Sequence, residues 1–387
     1  AITVNNSDGT CAANITSING GQLSGRKNLI TNGEMIISQR AGTTSTAVTN
    51  EHEYVLDRMF VSTIQGGGTS LNVQQLHGNP TGAPYGFAAS MKMTVAVTDD
   101  GGSDSFNVVQ TRIENLDTNY LAFGTSQAKT VTLSFHVKSS LTGTFGGSLV
   151  SGDFSKGYVF QYTINSADTW EKKTITIPGD TASTADSVYN RGTATSGRGL
   201  VLYFDLGSGS NSEKSAANSW SATGTWGYGA RIAGNVKLCA NAGADWGITG
   251  IQLEEGSVAT DFEHRSFGEE LALCQRYYQR IVDAATGGNY IGIGSNYTSS
   301  QAYTFLRFLR QMRTAPTIDQ GNISASFVVY DSVNTSGLTF NTFAGFTGEA
   351  AQGTGLYVNK SGVSAGKACI FQVINGQGNY LAANAEL

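Results

Sequence analysis

Three aromatic residues in one short polar stretch carry the clearest capacity for chemistry in this sequence. In SWSATGTWGYGAR (219–231), Trp220, Trp226 and Tyr228 are interleaved with Ser, Thr and Gly, without strand alternation. Flat rings in a polar loop stack on sugar rings, and amphipathic aromatics also serve protein interfaces. These three are the candidate glycan-binding residues. The competing reading is that they fill a core edge or a subunit contact. Tyr290 and Tyr297, in NYIGIGSNYTSS, are weaker candidates of the same kind.

Catalytic signatures are missing. The sequence holds no H-E-x-x-H, no G-x-x-x-x-G-K-[ST] and no fitting G-x-G-x-x-G. GSGSNS has two of the three glycines of the last motif, but no βαβ unit surrounds it. Nucleophilic catalysis needs a nucleophile beside an oriented base, and no such pair is offered. Paired carboxylates on separate strands remain open as a glycosidase arrangement. In DDGGSD (99–104), Asp99, Asp100 and Asp104 are oxygen ligands for calcium in principle. The loop lacks the spacing and terminal Glu of an EF-hand, so a hairpin turn is expected there. Cys11, Cys239, Cys274 and Cys369 are far apart, as are His52, His77, His136 and His264. Buried free thiols are expected, with no metal site and no cofactor.

The balance of residue types excludes further classes. Of 387 residues only 14% are charged, against roughly 25% in an average globular protein. The net charge is −5 and there is no basic stripe, so nucleic-acid binding lacks its electrostatic footprint. No apolar run approaches the ~20 residues of a membrane span, and no membrane insertion is expected. The first residues, AITVNNSDGTCAANITS, lack the basic start and apolar core of a secretory signal, so folding in a cytosol is expected. Glycine, at 49 residues, together with Ser, Thr and Asn, suits an all-β protein with many turns.

The elements that must position any site are strands. FAASMKMTVAV places Phe87, Ala89, Met91, Met93, Val95 and Val97 on one face. TVTLSFHV does so with Val131, Leu133, Phe135 and Val137, and His136 is expected on the opposite face. Tyr158, Phe160, Tyr162 and Ile164 form a third such row, and Leu200, Leu202, Phe204 and Leu206 a fourth. Period-two rows predict strands with one buried face. Their number predicts an antiparallel β-sandwich, a jelly roll, over 28–265, in which Trp170 is expected to pack. Residues 1–27 read as an N-terminal docking or oligomerisation arm. Residues 284–387 read as a smaller C-terminal β domain, with strands in QAYTFLRF, SASFVVY, GLYVNK and ACIFQVI. Between them a connecting helix is predicted over 266–283. Ser266 and Glu269 make an S-x-x-E capping box, and Leu271, Cys274, Tyr278 and Ile281 make one apolar stripe.

Four stretches taken together resemble a known family. KNLITNGEMIISQR (27–40), YVLDRMF (54–60), TWEKKTITIPGDT (169–181) and GITGIQLEEGSVATDFEHRSFGEELALCQRYYQR (247–280) are similar to bacteriophage tail-fibre or receptor-binding virion proteins with a carbohydrate-binding-module-like jelly roll. The resemblance spans Lys27 to Arg280. In the family pattern a Trp usually follows the Asp-Arg pair; here Asp57-Arg58 is followed by Met59. The resemblance implies a non-enzymatic virion protein, a homotrimer built in the host bacterial cytoplasm. It would contact host-surface glycans and dock through its N-terminal arm on another virion protein, on tail or capsid. Its C-terminal block would be the distal tip. A head-attached capsid fibre or knob and a glycan-degrading tailspike enzyme are the alternatives. Asp57 and Arg58 are expected to stitch the first strand to the sandwich. Glu254, Glu255, Glu263, His264 and Arg265 are expected to form a hydrogen-bonded connection from sandwich to helix.

Overall fold

A computed structural model of the protein describes residues 26–49, 52–64, 69–79, 81–99, 102–192, 197–223, 229, 231–283, 289–320, 327–340, 343, 345–374 and 380–387. The expected arm lies outside the described residues except for Arg26 and Lys27. The described chain is all-β with a few short helices, and it forms two compact units. The first holds 26–35, 45–53 and 60–264; the second holds 36–44, 54–59 and 265–387. Among the described residues no helix is long and apolar enough to cross a membrane.

The first unit is a jelly-roll β-sandwich. One sheet has six strands in the order Thr46–Thr49, Ser70–His77, Ala89–Val97, Asp245–Glu255, Val131–Ser139 and Glu171–Ile177. The other sheet includes, in order, Trp220–Ala222, Lys156–Ile164, Gly143–Ser151, Arg198–Asp205, Phe106–Glu114 and Met59–Ile64. The alternating rows read from sequence form the inner faces. Val131, Leu133, Phe135 and Val137 are fully buried, as are Met91 and Met93, while Val97 at the strand end is exposed. Aromatic rings join the sheets edge to face: Phe135 stands 5.0 Å from Phe204 and 5.2 Å from Tyr162. Buried Trp246 donates its indole N–H to the Tyr162 hydroxyl at 3.3 Å, so its one polar atom is satisfied within the core.

The expected hairpin at DDGGSD is not formed: Ala89–Val97 before it and Phe106–Glu114 after it lie in different sheets, so the chain crosses the sandwich here instead of folding back on its neighbour. Asp99 is buried and accepts from Ser105 Oγ at 3.1 Å and Asn107 Nδ2 at 2.8 Å. Asp104 accepts from Asn211 Nδ2 at 2.5 Å, and Asp100 lies outside the described residues. Cys239, Cys274 and Cys369 are buried free thiols, and burial pushes each thiol up.

The second unit wraps one core between two sheets. A seven-stranded sheet runs Leu338–Phe340, Phe327–Asp331, Ala368–Val373, Asn289–Thr298, Gln301–Arg307, Gly353–Asn359 and Gly345–Ala350. A three-stranded sheet runs Tyr278–Asp283, Tyr380–Asn384 and Thr317–Gln320. Phe327, Leu356, Phe371 and Leu381 are fully buried within their shared core.

Here the predicted helix over 266–283 needs correction. The helix spans Phe267–Cys274 only, and Tyr278–Asp283 is a strand. Its start agrees with the capping box, since Ser266 Oγ accepts from the Glu269 N–H at 3.3 Å. The stripe Leu271, Cys274, Tyr278 and Ile281 keeps helical spacing past the true end, but Tyr278 and Ile281 lie in the strand, which carries a bulge between Arg280 and Val282. The aromatic and β-branched side chains of Tyr278 and Ile281 prefer the strand once Tyr380–Asn384 supplies the backbone partners. Arg276 and Arg280 therefore lie beyond the helix.

Asp57 and Arg58 also take a different place from the one expected. Both are buried in the second unit. Asp57 accepts from the Gln39 backbone N–H and from Gln39 Nε2, each at 2.6 Å. Arg58 pairs with Glu386 and lies 3.5 Å from the Tyr277 ring centroid.

The acidic run near residue 255 stitches its own unit. Glu263 accepts from the backbone N–H groups of Lys27 and Asn28, and Glu254 accepts from Thr260 and Gln252. His264 Nδ1 meets Glu34 at 3.0 Å. Arg265 pairs with Glu270 within the second unit.

Candidate functional site

The six-stranded sheet turns its inner face to the core, so its outer face is where a site can form. Pleating assigns the side chains. Trp246, Ile248, Met91, Met93 and Val137 point inward and are buried. Their neighbours Gly247, Lys92 and Lys138 point outward, and register places them in one row, with Gly247 opposite Lys92 on one side and Lys138 on the other.

A glycine at the centre of that row leaves a gap, and Trp170 fills it. The Trp170 ring comes from the segment just before Glu171–Ile177 and lies over Gly247. A Cβ on residue 247 would stand 3.3 Å from Trp170 Cη2 and 3.8 Å from Cζ2. Trp170 is therefore half-buried on the outside of the sandwich, which corrects the expectation that it packs within. Lys138 Nζ lies 5.2 Å from the ring centroid, within range of a cation–π attraction.

A groove of about 330 Å³ opens beside the ring. Trp170, Trp246 and Gly247 line it with Leu76 and His77, the 81–82 turn, Lys92, Lys138, Ser140, Asp168 and Asp245. The polar groups are held in place. Asp245 accepts from Thr94 Oγ1 at 2.5 Å and pairs with Lys92 Nζ at 2.9 Å. Its backbone N–H donates to Ser140 Oγ at 2.9 Å. Lys138 Nζ donates to the Thr81 carbonyl at 3.0 Å, and Ser90 Oγ donates to the Gly82 carbonyl, which anchors the 81–82 wall. Asp168 is exposed at the rim in the left-handed region, at φ 54°, with its N–H donated to the Ser139 carbonyl at 2.8 Å. Asp tolerates that conformation better than bulkier side chains.

At the other end of the same face, His136 stands 4.8 Å from Phe87. Phe87 in turn packs on Phe262 and His264, at 5.2 and 5.4 Å. Burial, aided by the Lys172 charge, pushes the His136 imidazole down to about 4, so it is neutral at physiological pH.

The arrangement suits a neutral, hydroxyl-rich ligand. It offers one aromatic face for apolar C–H surface, lysine donors, and carboxylate and hydroxyl acceptors within a shallow groove. The Lys92–Asp245 pair cancels its own charge.

The residues singled out from sequence fare differently. Trp220 is half-buried and donates its indole N–H to the Pro178 carbonyl at 2.6 Å. Its ring sits among Phe123, Tyr158 and Tyr189, at 5.5, 5.8 and 6.3 Å. That is a packing position, the competing reading of this stretch. Trp226 and Tyr228 lie outside the described residues. Trp170 was the residue that sequence reasoning passed over as a site. The signal in the sequence was Gly247 in a strand interior, where a glycine often marks close approach of another group; which group approaches it is set by the fold.

No family model and no curated protein matches the sequence. Several solved structures resemble parts of it weakly. The tailspike protein 4 enzymatically active domain of bacteriophage CBA120 matches at 10% identity and a TM-score of 0.29, over 59% of this chain and 21% of its own. The family 11 carbohydrate-binding module of a cellulosomal cellulase of Clostridium thermocellum matches at 12% identity and 0.27, over 57% of this chain and 99% of the module. The module TmCBM61, solved with β-1,4-galactotriose, matches at 9% and 0.27, over 59% and 99%. The chain is thus similar in part to carbohydrate-binding modules and to about a fifth of a phage tailspike, an overlap too loose to carry over what those proteins do.

Proposed function

We propose that the chain is a non-enzymatic virion protein of a bacteriophage, a short tail-fibre or receptor-binding appendage that contacts host-surface glycans through the groove at Trp170. The observation that carries this reading is the Trp170 ring held over Gly247 on the outer face of a β-sheet, with anchored lysine and aspartate groups around it. Such a groove stacks on one face of a sugar ring and hydrogen-bonds its hydroxyls. The phage context rests on the four stretches between Lys27 and Arg280 that resemble tail-fibre and receptor-binding proteins. In this reading the protein works as a homotrimer, anchored by another virion protein. Weak single-site binding is then multiplied by roughly 10²–10⁴ when sites engage together.

Two measurements test it. A glycan array probed with the full chain and with Trp170→Ala should show ligands lost in the variant; equal binding by both would remove the groove from the reading. Antibody labelling of intact virions should mark the tail. Label over the head would make the protein a capsid fibre, and label on no particle would remove the virion role. Release of new reducing ends from host polysaccharide would replace the binding role with a depolymerase.

A further inference from the structure

The second unit carries an exposed aromatic and basic track that the groove at Trp170 does not account for. It lies on the outer face of the seven-stranded sheet. Along Gln301–Arg307, Ala302, Thr304 and Leu306 turn inward and are buried, so Tyr303, Phe305 and Arg307 turn outward. Register pairs Tyr303 with Tyr357, Phe305 with Gly355 and Arg307 with Gly353. Two glycines thus stand where the neighbouring strand would otherwise raise side chains beside Phe305 and Arg307.

The Phe305 ring fills part of that space. A Cβ on Gly353 would come within 2.8 Å of Phe305 Cζ. Phe305 is nevertheless 68% exposed, and Leu309 is 71% exposed. Next to them a groove of about 640 Å³ is lined by Phe305, Arg307, Leu309, Arg310 and the amides of Gln311 and Gln352. Among the described residues none that lines it is acidic. Among the described residues neither Arg307 nor Arg310 has a carboxylate within ion-pair distance. Two guanidiniums without a carboxylate partner among the described residues are notable in a chain with only 14% charged residues and a net charge of −5.

We propose that this groove is a second binding site, for an anionic saccharide that bears carboxylate or phosphate groups. Arg307 and Arg310 bind the anion, because a guanidinium presents paired donors matched to either group. Phe305 stacks on the sugar ring, and the glutamine amides take its hydroxyls. Electrostatic complementarity sets which saccharide is accepted. The saccharide class rests on the glycan-binding reading above; the preference for negative charge rests on the arginine pair.

The test measures binding of the full chain to four probes at low and at physiological salt. The probes are oligogalacturonate for carboxylate, a phosphomannan oligosaccharide for phosphate, neutral mannan and polyglutamate. Wild-type protein should bind one of the two anionic saccharides more tightly than mannan, and less tightly as salt rises. Arg307→Gln/Arg310→Gln should weaken that binding about tenfold or more, and Phe305→Ala should weaken it too, while Trp170→Ala leaves it unchanged. Which of the two probes responds identifies the anion. Equal binding by the double-arginine variant overturns the proposal, as does polyglutamate displacing the saccharide equally well. Neutral glycans bound through Trp170 with no anionic preference would overturn this site and leave the first reading standing. Neither anionic saccharide bound would overturn this site, and the glycan array with Trp170→Ala then decides the first reading separately. All three residues are exposed, so unchanged thermal unfolding of the variants separates lost binding from lost folding.

Discussion

The Trp170 indole covers Gly247 so closely that a Cβ on residue 247 would stand 3.3 Å from Trp170 Cη2. The glycine lets the ring lie low on the sheet, and Lys138 stands 5.2 Å from its centroid. Ring orientation here is set by what is missing at position 247 as much as by any contact.

Truncating that ring should abolish most glycan affinity. For Trp170→Ala we expect a loss on the order of tenfold to a hundredfold, the size expected for a central aromatic anchor. Titration calorimetry against the best array ligand measures it. The variant should still fold, because Trp170 sits outside the core.

A side chain at 247 should act through the ring. Gly247→Val places branched atoms where Trp170 Cη2 and Cζ2 now lie, at 3.3 and 3.8 Å from a Cβ. The ring must lift, so affinity falls without loss of any ligand-contacting group. A changed indole fluorescence together with weaker binding supports this. Unchanged emission and affinity would show that the ring is not seated on the glycine.

Trp220 should behave in the opposite way. Its ring packs on Phe123, Tyr158 and Tyr189, and its N–H is spent on Pro178. Trp220→Ala should cost about 3 kcal/mol of stability and leave glycan affinity intact. Urea unfolding and calorimetry on the same sample decide between a packing and a binding role.

The Arg58–Glu386 pair should be costly to break singly. Arg58 is 2% and Glu386 6% exposed at the side chain, and Arg40 also reaches Glu386 at 3.2 Å. Glu386→Gln leaves a buried guanidinium with less compensation, so a loss of about 3–5 kcal/mol is expected. Arg58→Met/Glu386→Leu should destabilise less than the single change, because it removes both buried charges. Denaturant midpoints of the variants provide the comparison.

His136 should make the sandwich acid-sensitive. Its folded value is about 4, held down by burial and the Lys172 charge, against 6.5 in the unfolded chain. The unfolded state therefore binds more protons between those limits. His136 contributes no slope above about pH 6.5, and stability falls as pH drops from 6.5 toward 4. Replacing it by Gln should flatten that slope. An imidazole resonance for His136 that titrates near 6.5 in the folded protein would contradict the burial argument.

Much of the architecture was readable in the chain, for a local reason. Rows such as Val131, Leu133, Phe135 and Val137 alternate because neighbouring strand residues face opposite ways, and all four are fully buried. The helix start at Ser266 was readable too, since a cap is an interaction within one turn. The helix end was not, because Tyr278 and Ile281 continue the helical spacing and the partner strand Tyr380–Asn384, which draws them into a sheet, lies about a hundred residues away.

The candidate site belongs to the tertiary structure. Lys92, Lys138 and Gly247 come from three strands, and only pairing register sets them in one row. Trp170 precedes a further strand of that sheet, Glu171–Ile177, and nothing in DTWEKKTITIPGD tells whether its ring enters the core or covers a glycine outside it. Arg58 and Glu386 are 328 residues apart, and only folding makes them partners. Sequence by itself determined the β-sandwich class, the inward rows and the sparse charge, because each follows from residue type and near-neighbour spacing. Which rings are exposed, which charges pair and where grooves open depended on long-range register, which no local spacing encodes.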